Sequence, residues 1–493
     1  MTDAVEPQIE HALRRAEDEW DVRELLGRYA LWASADQDAV ALDRHRRAGA
    51  IADVDGAVVT AAERYASRFA ASGSSPWLVH TLGPARVDLH GDHAISTHYE
   101  RVHGLGADGS VDLLGFGYGR WELARAAQGW VLERSRTRST GRDDAMAVLR
   151  EELPDVARRA DVPTLAAPSG SAGARVQRLL DHFAIMNVIA TYGMAADGNS
   201  ASNVGDQYTV DTDVDIEGVM FMRGRAEVEA MIDDAPHQSL LPWAGHTLGP
   251  ALIDIYGDTA VATHYARIYG RTSDASNDMV DPRATGDRGL WRFGYNRWDL
   301  VREADGRWRI STRVSRSPRH AEARDLLRRA VTSTGLHAAS GAMTGDLAHR
   351  TATVEDALAV ERVITTVTMA LDADAPDVVR ARYADDAAIL HESGSRSVDD
   401  VGTSPDAGES TTGHLVGPGS IVVRGDEASA TQIVGVYERR PGAPNRVARL
   451  SWRRWDLRRA ADCDWTITRE ESCAAGSAGA VALIRRGLRD AAG

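Results

Sequence analysis

The segment His80-Thr81-Leu82-Gly83-Pro84-Ala85 returns as His246-Thr247-Leu248-Gly249-Pro250-Ala251, and in altered form as His414-Leu415-Val416-Gly417-Pro418-Gly419. The likeness between residues 80–104 and 246–270 continues in register through Asp, Gly-Asp, Ala, Thr-His-Tyr, Arg and Gly. Downstream, Phe116-Gly117-Tyr118-Gly119-Arg120-Trp121-Glu122-Leu123 matches Phe293-Gly294-Tyr295-Asn296-Arg297-Trp298-Asp299-Leu300, with a third version at Ser451-Trp452-Arg453-Arg454-Trp455-Asp456-Leu457. The copies are spaced 166 and 168 residues apart. Solenoid repeats run roughly 20–50 residues, so each copy is a domain in its own right. A chain of 493 residues fits this, since domains take about 100–200 residues each. The three units are expected at 10–160, 175–331 and 354–493, the second best preserved and the third degenerate.

Composition excludes several functions. A net charge of −15 argues against nucleic acid or an anionic membrane as the main partner. No run of 18 apolar residues offers a bilayer span. The acidic start Met1-Thr2-Asp3-Ala4-Val5-Glu6 lacks the basic-then-apolar order of a signal peptide, so a cytoplasmic location is expected. Cys463 and Cys473 are the only cysteines, too few for a disulfide framework or a cysteine metal cage. All 57 Lys and Arg residues are Arg, which rules out Schiff-base lysine chemistry and a P-loop lysine. A GC-rich genome explains that bias without function.

The second unit shows the module most clearly. Leu179 to Met194 has helical periodicity and closes on Ala196-Asp197-Gly198-Asn199, a helix-end signature. A short strand is expected at Tyr208–Ile216 and a helix from Gly224 to about Ile232. After His246, strands 251–256 and 259–269 flank the Gly257-Asp258 turn. Strands 290–303 and 308–314 and a helix near 321–331 follow. In the first unit, residues 44–56 lack the corresponding strand pattern. Helices followed by a run of antiparallel strands is an α+β order.

This order resembles the nuclear transport factor 2-like superfamily, most closely its SnoaL-like branch. The carrying residues are Tyr192…Asp197, Gly224-Arg225, His246-Thr247-Leu248-Gly249, Gly257-Asp258-x-Ala260 and Gly306-x-Trp308-x-Ile310. The resemblance implies three tandem cone-shaped α+β barrels, each a curved antiparallel sheet capped by helices around an apolar pocket. Because scytalone dehydratase and hexachlorocyclohexane dehydrochlorinase are trimers, it also implies that one chain folds as an intrachain pseudo-trimer, monomeric as a molecule, with the sheets toward the centre. The implied function is a cofactor-independent lyase or isomerase acting on a hydrophobic small molecule, with no metal. The alternatives are a polyketide-type cyclase and a non-catalytic binder.

The resemblance assigns His246 as base and Asp197 as the carboxylate that orients it, a pairing suited to proton transfer near neutrality. The corresponding residues are His414 and Asp372 in the third unit, and His80 in the first, where Ser34 replaces the acid and Asp36 lies two residues on. The competing reading of each histidine is a buried side chain bonded to backbone at a strand start, and of Asp197 a helix-end turn residue. His264 and His98, in Thr-His-Tyr, share a face with small apolar residues and either line a pocket or are satisfied core groups; their counterpart is Gln432. Tyr192 and Tyr29, Arg313 and Trp243 complete the candidates for substrate contact, with core packing as the alternative for the tyrosines.

Overall fold

The computed structural model describes residues 5–35, 46–59, 77–106, 110–150, 171–270, 289–318, 320–333, 345–392, 394–398, 401, 411–439, 445–460 and 464–492. The first unit comprises α1 (Val5–Ala35), β1 (Arg46–Val54), β2 (Ala57–Val59), β3 (Trp77–His90), β4 (His93–Leu105), β5 (Val111–Ala126), β6 (Gly129–Ser139) and α2 (Ala145–Arg150). The second has α3 (Ser171–Asp197), α4 (Ala201–Gly205), β7 (Tyr208–Ile216), β8 (Met220–Arg223), α5 (Arg225–Asp233) and α6 (Ala235–Gln238). It continues through β9 (Gly245–Tyr256), β10 (Thr259–Gly270), β11 (Gly289–Arg302), β12 (Trp308–Arg316) and α7 (Ala321–Thr332). The third has α8 (Gly345–Asp372), α9 (Pro376–Arg380), β13 (Tyr383–His391), β14 (Gly394–Arg396), β15 (Thr411–Arg424), β16 (Glu427–Arg439), β17 (Arg446–Arg459), β18 (Trp465–Ala474) and α10 (Ala478–Ala492).

Each unit builds its own six-stranded sheet, in the orders β2-β1-β6-β5-β4-β3, β8-β7-β12-β11-β10-β9 and β14-β13-β18-β17-β16-β15. The α+β cone is thus present three times. The sheets are mixed rather than purely antiparallel. The first strand of each unit lies parallel to the last, as β1 to β6, β7 to β12 and β13 to β18. The reason is topological: the opening hairpin precedes the four-stranded meander and joins its far edge. Residues 46–54 are a strand after all, contrary to the sequence expectation. Its register shifts between Arg46 and Ile51, and Gly49 has φ +82°. That irregularity, which suits glycine, erased the two-residue period. His246, expected at a junction, lies inside β9, which starts at Gly245.

Alternation sorts each sheet's side chains between two environments. In the second unit Leu248, Ala260, Ala262, Trp298 and Leu300 face their own cone, packing with Ile189 and Tyr192 of α3. Tyr265, Phe293 and Tyr295 point out of it into a cluster shared between units. α3 is long and apolar enough to cross a membrane, with a mean hydropathy of 1.2 over its best window, yet 72% of that window is buried among the other elements. It serves as a core helix.

The units meet cyclically. α1 packs on β15, α3 on β3 and α8 on β9, while the three helices also touch one another. The edge strands β3, β9 and β15 meet as well. The centre of this pseudo-threefold arrangement is therefore shared by helices and edge strands, where sheets alone were expected. One position on each helix, ten residues before the Ser34, Asp197 and Asp372 sites, makes the docking bond. Glu24 accepts from the Ser420 hydroxyl at 2.7 Å and from the Ile421 amide at 3.3 Å. Asn187 accepts from the Val87 amide at 3.0 Å and donates to its carbonyl at 3.2 Å. Arg362 donates to the Ile253 carbonyl at 3.0 Å and to Asp254 at 2.7 Å. Val87, Ile253 and Ile421 are equivalent strand positions, so one structural task is met by three chemistries.

Size is complementary across the same seams. A Cβ at Gly245 would strike the Phe116 ring, and one at Gly413 the Phe293 ring. At the third seam the corresponding residues, Val79 and Leu450, pack in one cluster. Gly245→Val should accordingly destabilise the chain by about 1–3 kcal/mol through overpacking. Adding Phe116→Leu, which recreates the Val/Leu combination, should recover at least half of that. Denaturant midpoints of the two single variants and the double variant check this; strictly additive losses would refute the complementarity.

Candidate functional site

α3 ends on Asp197, which is fully buried, and β9 brings His246 across it. His246 Nδ1 lies 2.6 Å from Asp197 Oδ1, and the His246 backbone amide donates to Oδ2 at 2.7 Å. The first unit supplies a third bond. The Tyr99 hydroxyl, from β4, donates to the same Oδ2 at 2.6 Å. Burial, followed by the neighbouring Asp197 charge, pushes the Tyr99 phenol well above its ordinary value, so it stays protonated and remains a donor. With Nδ1–H directed at Asp197, the neutral imidazole carries its lone pair on Nε2. His237 of α6 lies beside His246, ring centroids 6.0 Å apart, with its Nε2 3.0 Å from the Ala196 carbonyl. Burial, and then His246, lower the His237 pKa.

This His–Asp geometry is not confined to the second unit. His414 Nδ1 is 2.7 Å from Asp372 Oδ1, its amide donates to Oδ2 at 2.8 Å, and Tyr265 of the second unit donates to Oδ2 at 2.6 Å. In the first unit Ser34 Oγ instead accepts from the His80 amide at 3.0 Å. The position equivalent to Tyr99 and Tyr265 is there Ile433, in the shared cluster with Val79 and Leu450. Acid and tyrosine are absent together. Asp36 lies outside the described residues.

What distinguishes the second unit is the inside of its cone. His264 sits opposite Asn296, and Trp298 opposite Arg313. Arg313 stacks over Tyr192 at 4.6 Å and donates to the Tyr208 hydroxyl at 3.1 Å. His264 Nδ1 is 3.1 Å from the Tyr265 carbonyl. His264 Nε2, both amide atoms of Asn296, the Trp298 indole N–H and Arg313 Nε are buried with no hydrogen-bond partner in the protein. Unsatisfied buried polar groups cost about 1–3 kcal/mol each, and such a cluster marks a place for a ligand or ordered water.

The equivalent positions elsewhere make more bonds within the protein, although in the third unit Gln432 Oε1, Arg453 Nε and Trp455 Nε1 are also buried without a partner. In the first unit His98 faces Gly119, lies 3.2 Å from Ser96 Oγ and 3.6 Å from Glu100, and Glu100 accepts from Thr137 at 2.9 Å. In the third, Gln432 faces Arg453, Arg453 bonds Glu470 at 2.9 Å, and Tyr383 donates to the same carboxylate.

The remaining candidates fall as follows. Tyr29 packs edge-on against Trp121 at 4.6 Å in the first cone. Trp243 packs against Gly141 of the first unit, where a Cβ would strike its ring, so it fills the seam rather than the cone. Among the described residues no three His, Cys, Asp or Glu side chains gather as a metal site requires. A cavity of about 190 Å³ lies elsewhere, and neither His246 nor Asp197 lines it. His237, Asn296 and Tyr99 were missed. For Asn296 a signal was present, because the repeat varies there as Gly119, Asn296 and Arg453.

Residues 177–314 match the family model described as the SnoaL-like domain. The second unit is a SnoaL-like domain. An NTF2-like protein of cystatin-like fold from Novosphingobium aromaticivorans is 31% identical over 31% of this chain and 93% of its own, with a TM-score of 0.28. A protein of the same organism assigned as a scytalone dehydratase is 16% identical over 28% and 85%, with a TM-score of 0.24. A Catenulispora acidiphila protein in complex with S-DNPA is 17% identical over 28% and 92%, with a TM-score of 0.23. No curated protein matches the chain. Each of these structures is the length of about one unit.

Two outcomes follow from the SnoaL-like site. Tyr99→Phe removes a hydrogen bond to a buried carboxylate and should cost about 1.5–3 kcal/mol, read as a shift in denaturant midpoint; no loss would place the Asp197 bond outside the stabilising set. Burial lowers the His264 pKa to about 3. That folded value lies below the unfolded one near 6.5, so the stability involved is complete above about pH 6.5 and drains away as the pH falls toward 3. Imidazole NMR should find His264 neutral from pH 5 to 8; titration in that range would contradict its burial.

Proposed function

We propose that the second unit binds a hydrophobic small molecule in its cone and catalyses proton transfer on it without a cofactor, as a lyase or isomerase of the dehydratase or dehydrohalogenase type. The observation that carries this reading is the set of unpartnered polar groups on His264, Asn296 and Arg313 inside the second cone, in the unit that holds the His246–Asp197 pair. Asn296 and Arg313 offer donors to a carbonyl or other electron-rich oxygen. His264, neutral and with Nδ1 directed at a carbonyl, presents Nε2 as an acceptor for a hydroxyl.

His246 and His264 share the cone face of their sheet. His246 pairs with Ile268, four residues along β10 from His264, which is about 13 Å of strand. The two ends thus act on different parts of one molecule. The inner polar group holds an oxygen while His246 Nε2 takes a proton near the outer end, and the substrate is longer than a single ring. Asp197 is a positioning residue, fixing the tautomer and stabilising the imidazolium. Cyclisation of a polyketide-type intermediate would use the same groups.

One observation favours a non-catalytic binder. The His–Asp–Tyr bonds recur around Asp372, and all three also fasten a helix end to a strand and to the neighbouring unit, which is a sufficient structural role.

Proton transfer can be read without knowing the natural substrate. The full chain, incubated in D2O with a panel of bicyclic and tricyclic ketones, should exchange an acidic C–H proton, followed by NMR. His246→Ala should slow this by about 10²–10⁴-fold, the usual weight of a general base, while His80→Ala and His414→Ala leave it nearly unchanged. Exchange by His246→Ala at the wild-type rate would end the catalytic reading in favour of the binder.

A further inference from the structure

The cavity of about 190 Å³ lies where all three units meet, with walls from α1, α3, α8 and the three repeated Leu/Val-Gly-Pro-Ala/Gly segments. Leu82, Pro84, Leu248, Pro250, Val416 and Pro418 make it largely apolar. Its volume is comparable to the roughly 150 Å³ engineered cavity that admits benzene. This is the task of the second half of the repeated hexapeptide, which the cone chemistry leaves unused. The backbone bulges there, with register shifts at Leu82/Ala85, His264/Ala266 and Val416/Gly419. Gly83 and Gly249 sit at φ +102° and +108°, a region that favours glycine.

Two guanidinium groups enter this apolar space. Arg101 and Arg267, at equivalent positions, are 3% and 6% exposed. Arg101 donates to Thr81 Oγ1 at 2.9 Å and to the Gly83 carbonyl at 3.1 Å, and its Nη1 is buried without a partner. Arg267 donates to the Gly249 carbonyl at 3.0 Å and to the Tyr437 hydroxyl at 3.4 Å, and its Nε has no partner. None of these bonds reaches a carboxylate. The other arginines in the wall differ: Arg23 bonds Glu19 at 2.9 Å and Arg362 bonds Asp254 at 2.7 Å. Glu24 is held by Ser420 and Ile421, and Glu361 lines the wall with Arg23 as the cation near it.

Beside the two arginines the field is positive. Burial pushes the Tyr437 phenol up, but Arg267 and Arg101 outweigh it and bring the group below its ordinary value. Arg101 itself is lowered by burial and then by the Arg267 charge. Buried charges in proteins are paired or bind a counter-ion, and here the pairing groups within the protein are neutral.

We propose that the axial cavity is a binding site, separate from the cone of the second unit, for a ring-sized organic carboxylate whose anionic group bonds Arg101 and Arg267 and whose apolar body fills the space between the three glycine-proline bulges. A carboxylate would supply the two guanidinium groups with charge-assisted bonds, and the apolar walls suit its hydrocarbon part. The third unit has Gly435 where a third arginine would stand, so two cations face the site, which fits one negative charge better than a multiply charged ion.

The test uses the full chain and sodium benzoate, with benzyl alcohol and inorganic phosphate as probes of the same size without charge and of charge without a ring. Calorimetry should give saturable, one-to-one benzoate binding, at least tenfold weaker in Arg101→Gln and in Arg267→Gln and unchanged in His264→Leu. Benzyl alcohol and phosphate should each bind at least tenfold more weakly than benzoate. Because the arginine variants remove buried bonds, co-crystals of the unaltered chain with 4-bromobenzoate give an independent readout, with the bromine expected on the axis. Absence of saturable benzoate binding, phosphate binding as tight as benzoate, or bromine found only within a cone would each overturn the proposal.

Discussion

The docking of each long helix on the third strand of the neighbouring unit is the interaction on which the whole molecule depends. α3 closes its own cone with Ile185, Ile189 and Tyr192, while Asn187, Phe183 and Val176 face other units. A helix apolar on so much of its circumference cannot stand at a surface. It needs a neighbour, that neighbour's helix needs another, and the chain of dependence closes only at three. That explains the retention of a third unit whose repeat has drifted furthest. Without β15, α1 would expose its docking face, and Glu24 would lose Ser420 and the Ile421 amide.

Fusion into one chain lets each seam change by itself. In a symmetric trimer, any substitution appears at three seams at once. Here Glu24, Asn187 and Arg362 solve one docking problem with an acceptor, an amide and a donor. The same freedom accounts for the paired loss of acid and tyrosine at the seam between the third and first units. A buried tyrosine hydroxyl opposite Ser34 would lack the carboxylate that Tyr99 and Tyr265 find, and Ile433 with Val79 and Leu450 makes an apolar seam instead.

The sequence discloses what is periodic or repeated within one unit. The strand at 208–216, the helix near 321–331 and the Gly257-Asp258 turn were legible because local pattern carries them, whereas the His246–Asp197 pairing came from the family resemblance. Tyr99 was not legible, because its partner Asp197 is 98 residues away in another unit, and no period reports that. β1 was hidden by a bulge and a left-handed glycine. Trp243 looked like a pocket residue because it precedes His246 in the chain; in space it belongs to the Gly141 turn. The axial cavity was least visible of all, since each unit contributes only a third of its wall.

Two groups of buried polar atoms without partners bear on binding, and they differ in kind. In the second cone they are a neutral imidazole, an amide, an indole and one arginine stacked between aromatic rings, an arrangement suited to uncharged oxygen. On the axis they are two guanidinium groups whose partners are all neutral. Had these atoms been leftovers of drift, they would be expected in the least conserved unit. There, however, Arg453, Glu470 and Tyr383 are joined to one another, and Arg454 is tied to Asp456 and Asp490. Yet Gln432 Oε1, Arg453 Nε and Trp455 Nε1 stay buried without a partner in that unit too. What sets the two best-preserved copies apart is the arginine pair itself, Arg101 and Arg267, kept in register at the axis, where the drifted copy has Gly435.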